Sequence, residues 1–228
     1  MRRLYKNVSI AACDGGFAIH LDTKALRTPA RCAFALESAA LAKGIAAEWA
    51  EQGGIIAPNT MPLTGLSFAA IDLVMPDMAA FAAPLCVFGE SDLLCYRADE
   101  PRLAAEQAQL WGPILSWAER HYGIDFAITN GIVHVPQSPT TLAALTNAVH
   151  GLNALQLAAL NPLVTIGGSL VTGLALIERA FAANALWDVV ALDEMWQERQ
   201  WGAVDDAVEA REIKRAEWMA AARFLELI

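Results

Sequence analysis

The stretch Lys6-Asn7-Val8-Ser9-Ile10-Ala11-Ala12-Cys13-Asp14-Gly15-Gly16-Phe17-Ala18-Ile19-His20-Leu21 decides the fold class of this chain. Lys6 to Ala12 reads as a strand and Asp14-Gly15-Gly16 as its turn, where glycine takes positive φ without a Cβ clash. Phe17 to Leu21 alternates as a returning strand does. Asp22-Thr23-Lys24 makes a second turn, and Leu26 to Thr28 with Ala33 to Leu36 adds short strands around Pro29. A small antiparallel sheet is expected here.

Helical periodicity takes over after the sheet. Ser38 is placed to cap a helix whose Leu41, Ile45 and Trp49 recur every fourth residue on one face, with Gly53-Gly54 as the stop. Helices follow from Leu63 to Val74 and from Pro76 to Phe88. Asp92-Leu93-Leu94-Cys95-Tyr96-Arg97 suits helix or strand. Past Glu100-Pro101 the pattern is mostly helical: Leu103 to Tyr122 with Gly123 as stop, then Thr140–His150, Ala154–Leu160, Leu163–Phe181, Ala185–Trp201 and Val204–Leu227. Only Phe126 to Val135 has later β character. The expected fold class is α+β: a small N-terminal antiparallel sheet with helices over residues 1–98, followed by a mainly α C-terminal helical bundle over 99–228.

Composition narrows the function classes. The chain has 228 residues, a net charge of −9, 56 % hydrophobic and 18 % charged residues, enough for a sizeable core. The acidic balance argues against nucleic acid and anionic membrane surfaces as partners. Cys13, Cys32, Cys86 and Cys95 form no Cys-x-x-Cys pair, which suits reduced thiols in a cytosolic compartment. Met1-Arg2-Arg3-Leu4-Tyr5-Lys6 has no apolar run behind its arginines and reads as no leader. Leu152 to Ile177 is long enough for a bilayer crossing. Asn161-Pro162 should break or kink it, and no basic residues flank it, so two buried core helices and no stable membrane insertion are expected.

Catalytic signatures are absent. No Gly-rich phosphate loop occurs, and Ser169 of Gly167-Gly168-Ser169 lacks the glycine of a nucleophile elbow, so those glycines read as close helix packing. His20, His121, His134 and His150 show no ligand spacing with one another or with cysteine. No metal and no cofactor are expected. Trp49, Trp111 and Trp117 read as packing, and Glu212 with Arg215 as a solvated pair.

The most informative segment is Leu192-Asp193-Glu194-Met195-Trp196-Gln197-Glu198-Arg199-Gln200-Trp201-Gly202. On a helix turning about 100° per residue, Leu186, Val189, Val190 and Trp201 form an apolar arc. Asp193 and Gln197 fall inside it, four apart and able to hydrogen-bond to each other, and Glu194 lies at its edge between Trp187 and Trp201. An unpaired carboxylate is expensive to bury. The patch is therefore either a satisfied polar pair joining two helices or a Trp-edged surface that docks a protein, as Trp is enriched in interface hot spots.

Five blocks in order resemble the ATP synthase assembly factor Atp-twelve family. They are Gly16-Phe17 through Leu21-Asp22 with Leu26-Arg27-Thr28-Pro29-Ala30, Ile45-Ala46-Ala47-Glu48-Trp49-Ala50-Glu51-Gln52-Gly53, Met61-Pro62-Leu63-Thr64 with Ala70-Ile71-Asp72, Asp92-Leu93-Leu94-Cys95-Tyr96-Arg97-Ala98, and Leu192-Asp193-Glu194 with Gln197 and Trp201-Gly202. Gly65 departs from the pattern, where Arg is expected. The resemblance implies a chaperone, not an enzyme, that binds the free alpha subunit of the F-type ATP synthase catalytic head and shields its beta-facing surface until the hexamer assembles. It implies a working place in the bacterial cytoplasm, or in the mitochondrial matrix for eukaryotic relatives. The implied client-binding residues are Glu194, matching an essential glutamate of the family, with Asp193, Gln197 and Trp201. The free chain is expected to be monomeric. The rival expectation is a hydrolase with a dispersed carboxylate site using Asp193 or Glu194 near a histidine.

Overall fold

The computed structural model describes residues 2–228; Met1, the first residue of the segment tested as a leader, lies outside them. Strands β1 (Val8–Cys13) and β2 (Gly16–Leu21) form an antiparallel hairpin in the register Val8↔Leu21 to Cys13↔Gly16. Gly16 is required: its φ is +121°, and a Cβ there would stand 2.3 Å from the Leu36 carbonyl oxygen. Two short strands, β3 (Lys24–Ala25) and β4 (Ala35–Leu36), pair with opposite ends of β2. The sheet is the one expected.

Ala18 and Ile19 of β2 are buried, as are Leu41, Ala42, Ile45 and Trp49 of α1 (Ala39–Ala50), the stripe read from the sequence. The Ser38 hydroxyl accepts from the Leu41 N–H at 3.2 Å and donates to the Leu227 carbonyl, so one side chain caps α1 and ties it to the far end of the chain. Glu48 organises the next helix, α2 (Pro62–Ala69). Its carboxylate accepts from the Leu63 and Thr64 N–H groups and the Thr64 hydroxyl at 2.7–2.8 Å, capping α2 from a distance. Glu48→Ala removes that acceptor and is expected to lower stability by about 1 kcal/mol, read as a shift in urea midpoint with unchanged slope.

A π-turn, Ala70–Val74, extends α2, and α3 (Met78–Cys86) follows under an Asp77 cap. A 3₁₀ turn, Leu93–Cys95, runs into β5 (Tyr96–Arg97), which pairs in parallel with β6 (Thr129–Asn130). Asp92–Arg97 is thus turn and strand in succession, and β6 is all that forms of the β segment expected over Phe126–Val135. The remaining helices are α4 (Pro101–Tyr122), α5 (Pro139–His150), α6 (Ala154–Gly167), α7 (Leu170–Ile177), α8 (Ala183–Val190), α9 (Leu192–Trp201) and α10 (Asp205–Leu227).

Two breaks differ from expectation. The helix does not stop at Asn161-Pro162; α6 runs through Pro162 and ends where Gly168 turns left-handed at φ +67°. Ser169 then caps α7, accepting from the Thr172 N–H at 3.1 Å. Gly167 is the packing glycine, since a Cβ there would meet Val190 at 3.2 Å. The apolar Leu152–Ile177 stretch is thereby cut into two short helices, with Leu157, Leu160, Leu163, Leu170 and Leu174 buried in the core. The described chain has one apolar stretch of bilayer-crossing length, Met78–Cys95, folded as α3 followed by turns. The second break, at Ala191, divides the helix expected over Ala185–Trp201.

Core packing is continuous across the 98/99 position. Ile19, Leu41 and Ile45 belong to the same buried cluster as Trp111, Leu163, Trp218 and Phe224. Trp111 and Trp218 are fully buried with satisfied indole N–H groups, donating to the Val189 carbonyl at 2.9 Å and the Leu163 carbonyl at 3.2 Å.

Candidate functional site

The segment singled out in the sequence begins inside the protein and ends outside it. Ala191 (φ −90°, ψ 0°) ends α8, and α9 sets off with Asp193 and Glu194 in its first turn and Arg199 in its last, charges that suit the helix dipole. Leu192 and Trp196 are the buried residues of α9. Asp193 is half-buried, and its partner is not Gln197. The Gln107 amide of α4 donates to Asp193 Oδ1 at 2.8 Å, while the Gln107 carbonyl oxygen accepts from the Ala98 N–H at 2.7 Å. α9 restarts after Ala191 with Leu192 and Trp196 as its buried residues, and Gln197 faces solvent.

Around this link the chain is tightly satisfied. Arg97, also buried, donates to the Leu94 carbonyl and lies over the Trp111 ring, 5.0 Å from its centroid. Burial lowers the pKa of its guanidinium, with the Asp193 carboxylate acting the other way. Burial also pushes the Cys95 thiol up to about 12, which leaves it a neutral core group. Gln107→Ala breaks both ends of the link and leaves the Ala98 N–H without its acceptor. It is expected to cost about 2 kcal/mol, measured by urea unfolding, while α9 remains helical.

Beyond Trp196 the surface opens. Trp201 is 76 % exposed, not part of a buried arc, and its ring meets the Trp196 ring edge-on at 5.9 Å. Gly202 ends α9, and α10 returns antiparallel to it: Glu194 pairs with Lys214 at 2.9 Å, and Glu198 with Arg211. From Asp205 to Glu217 α10 has no buried residue, whereas Trp218, Ala221, Ala222, Phe224 and Leu225 plug its second half into the core. Thirteen residues at about 1.5 Å each give an arm roughly 20 Å long, half-buried at most at Val208, Arg211 and Arg215. A groove of about 380 Å³ lies between the helices, lined by Glu194, Gln197 and Trp201 on one side and Val204, Val208, Arg211 and Lys214 on the other.

The structure therefore brings Glu194, Gln197 and Trp201 together on one surface and places Asp193 at the root of that surface, holding it to α4. Sequence reading missed Trp196 as the anchor, Gln107 as the partner of Asp193, and the whole α10 side of the groove. A signal for the last was present: Glu194 and Glu198 four apart, then Arg211 and Lys214 three apart across Gly202, mark an antiparallel helix pair. Arg215 reaches Asn184 Oδ1 at 3.1 Å instead of pairing with Glu212. No histidine lines the groove, and no cluster of three or more His, Cys, Asp or Glu suited to a metal occurs among the described residues.

Residues 2–119 match the family described as ATP12 chaperone protein. The chain belongs to the ATP12 chaperone family. The fold agrees over its whole length: the crystal structure of Atp12 from Paracoccus denitrificans superposes with a TM-score of 0.93 at 38 % identity, covering 99 % of this chain and 97 % of that one. An aspartate-to-lysine mutant of the Paracoccus protein gives the same TM-score, identity and coverage. The mitochondrial protein atp12 of Schizosaccharomyces pombe is 25 % identical over 221 residues, 91 % of this chain and 76 % of that protein. This ATP12 chaperone has the small N-terminal antiparallel sheet and the helical remainder expected from its sequence.

Proposed function

We propose that this chaperone of ATP synthase assembly holds the free alpha subunit of the F-type catalytic head, and that the α9–α10 arm is the surface that does so. One observation carries the reading: a helical arm with no fully buried residue over Asp205–Glu217, which presents Trp201 and Val204, 76 % and 64 % exposed, beside the Glu194 carboxylate. A soluble protein gains little by exposing Trp and Val side by side unless another protein covers them. Glu194, Gln197 and Trp201 are the contact residues in this reading, and Asp193 fixes the angle at which they are presented. The working compartment is the bacterial cytoplasm.

No nucleotide is needed for such a cycle. Binding stabilises the orphan subunit by mass action, and release follows when beta competes for the same surface with higher affinity. Co-expression with a cognate alpha subunit tests this. A soluble one-to-one complex by size exclusion, lost when beta is supplied, is expected; alpha that aggregates equally with and without the chain contradicts it.

A further inference from the structure

A second groove, of about 670 Å³, opens in the N-terminal half, with no lining residue from α3 to α10. Leu4, Leu26, Trp49 and Phe68 give it an apolar wall. The wall is held in place by bonds made elsewhere. The Asp72 carboxylate accepts from the Ala30 N–H at 2.9 Å and fixes the loop after Leu26, while the Tyr5 hydroxyl donates to the Trp49 carbonyl at 2.6 Å. Three features mark the groove as unfinished. Leu4 is 89 % exposed. The Trp49 indole N–H is buried with no acceptor among the described residues. Strand β3 is a sheet edge, paired only on its β2 side.

The rim has its own charge. Arg2, Lys24 and Arg27 line it with Asp22, and the Asp22 carboxylate is already engaged by the Lys6 and Asn7 N–H groups at 2.9–3.3 Å. A chain of net charge −9 thus carries a locally cationic apolar groove beside a free strand edge. That combination fits main-chain pairing along β3, apolar side chains in the groove and carboxylates at the rim.

We propose that this groove takes an extended segment of the client polypeptide, apolar and bearing acidic residues, added as a strand to β3. The proposal rests on the client reading under Proposed function and gives the chaperone a second point of contact, which raises the effective concentration of client at the arm. The test places the photo-crosslinker p-benzoylphenylalanine at Leu4, and in a separate protein at Gln197, each in the full chain co-expressed with the alpha subunit. Both positions are expected to crosslink to alpha, Leu4 to one segment containing acidic and apolar residues. Arg2→Glu with Lys24→Glu, both exposed, is expected to weaken capture about tenfold with an unchanged melting temperature. Crosslinking from Gln197 alone overturns the groove and leaves the client reading standing. Crosslinking from neither position, with no complex formed, overturns both.

Discussion

Glu194→Lys is expected to leave the fold intact and to lower capture of the alpha subunit by at least about tenfold. The Glu194–Lys214 pair is half exposed on both sides, 49 % each. Such pairs are worth roughly 0–1 kcal/mol, so reversing one charge shifts the melting temperature by only a few degrees. Capture behaves differently because the carboxylate borders a groove whose other walls are Trp201, Val204 and Val208. A client seated there desolvates the charge, and reversal sets a like charge against Lys214 in the same confined space. The double variant Glu194→Lys with Lys214→Glu separates the possibilities. It rebuilds the bridge with its polarity swapped, so recovery of capture means that only the bridge mattered. Continued loss means that the client reads Glu194 itself, and continued loss is the expected result. Trp201→Ala, removing a ring that contributes little to folding, is expected to weaken capture by roughly 30-fold. Both are measured by surface-immobilised chaperone titrated with freshly refolded alpha.

Asp92 carries the largest expected effect on stability. It is fully buried, with no cation among its hydrogen-bond partners, and accepts from the Leu94 N–H at 3.0 Å and the Val171 N–H at 2.9 Å. It joins the turn before β5 to the start of α7, 79 residues later. Asp92→Ala leaves both donors buried and unpaired and is expected to cost about 3 kcal/mol. The carboxylate also brings a pH dependence. Burial raises its pKa to about 6 from 3.8, against the hydrogen bonds from Val171, Ser169 and the neighbouring backbone, which lower it. The folded state therefore holds the proton more tightly than the unfolded state. The stabilisation from this group is full below about pH 4 and is lost as pH rises through 6. Between pH 4.5 and 7.5 the loss amounts to about 2 kcal/mol. Asp92→Asn removes the titration, so the difference in unfolding free energy between those two pH values should change by about that amount relative to the parent chain. Equal pH dependence in both proteins contradicts the assignment.

Local patterns carried much of this fold. The Leu41/Ile45/Trp49 stripe, the Asp14-Gly15-Gly16 turn and the Leu103–Tyr122 helix are all written in spacing and turn chemistry, and each is present. What local pattern does not hold is where long apolar segments bend. Ala191 has no Gly or Pro beside it, so its break carries no turn signal in the sequence. Leu186, Trp187 and Val189 go into the core before it, and Leu192 and Trp196 after it. The site was misread for a related reason: the arc that enclosed Asp193, Gln197 and Trp201 is not the buried face of α9, which is Leu192 and Trp196. The partner of Asp193 lies 86 residues away and left no trace in its neighbourhood. Asn161-Pro162 misled in the opposite direction, because α6 is packed well enough to run through a missing N–H. The familiar blocks proved informative in another way. Glu48 capping α2, Asp72 holding the loop after Leu26, and Asp92 tied to α7 show that several of their polar residues join distant segments rather than face a client.

The arm itself is the part most open to direct measurement. Backbone amide hydrogen exchange, followed by mass spectrometry on the chain alone, with alpha, and with alpha plus beta, reads every segment at once. Slowed exchange over Glu194–Glu217 with alpha, reverting when beta is added, is the predicted result. Unchanged exchange across those residues while a stable complex is present would show that alpha is held somewhere else.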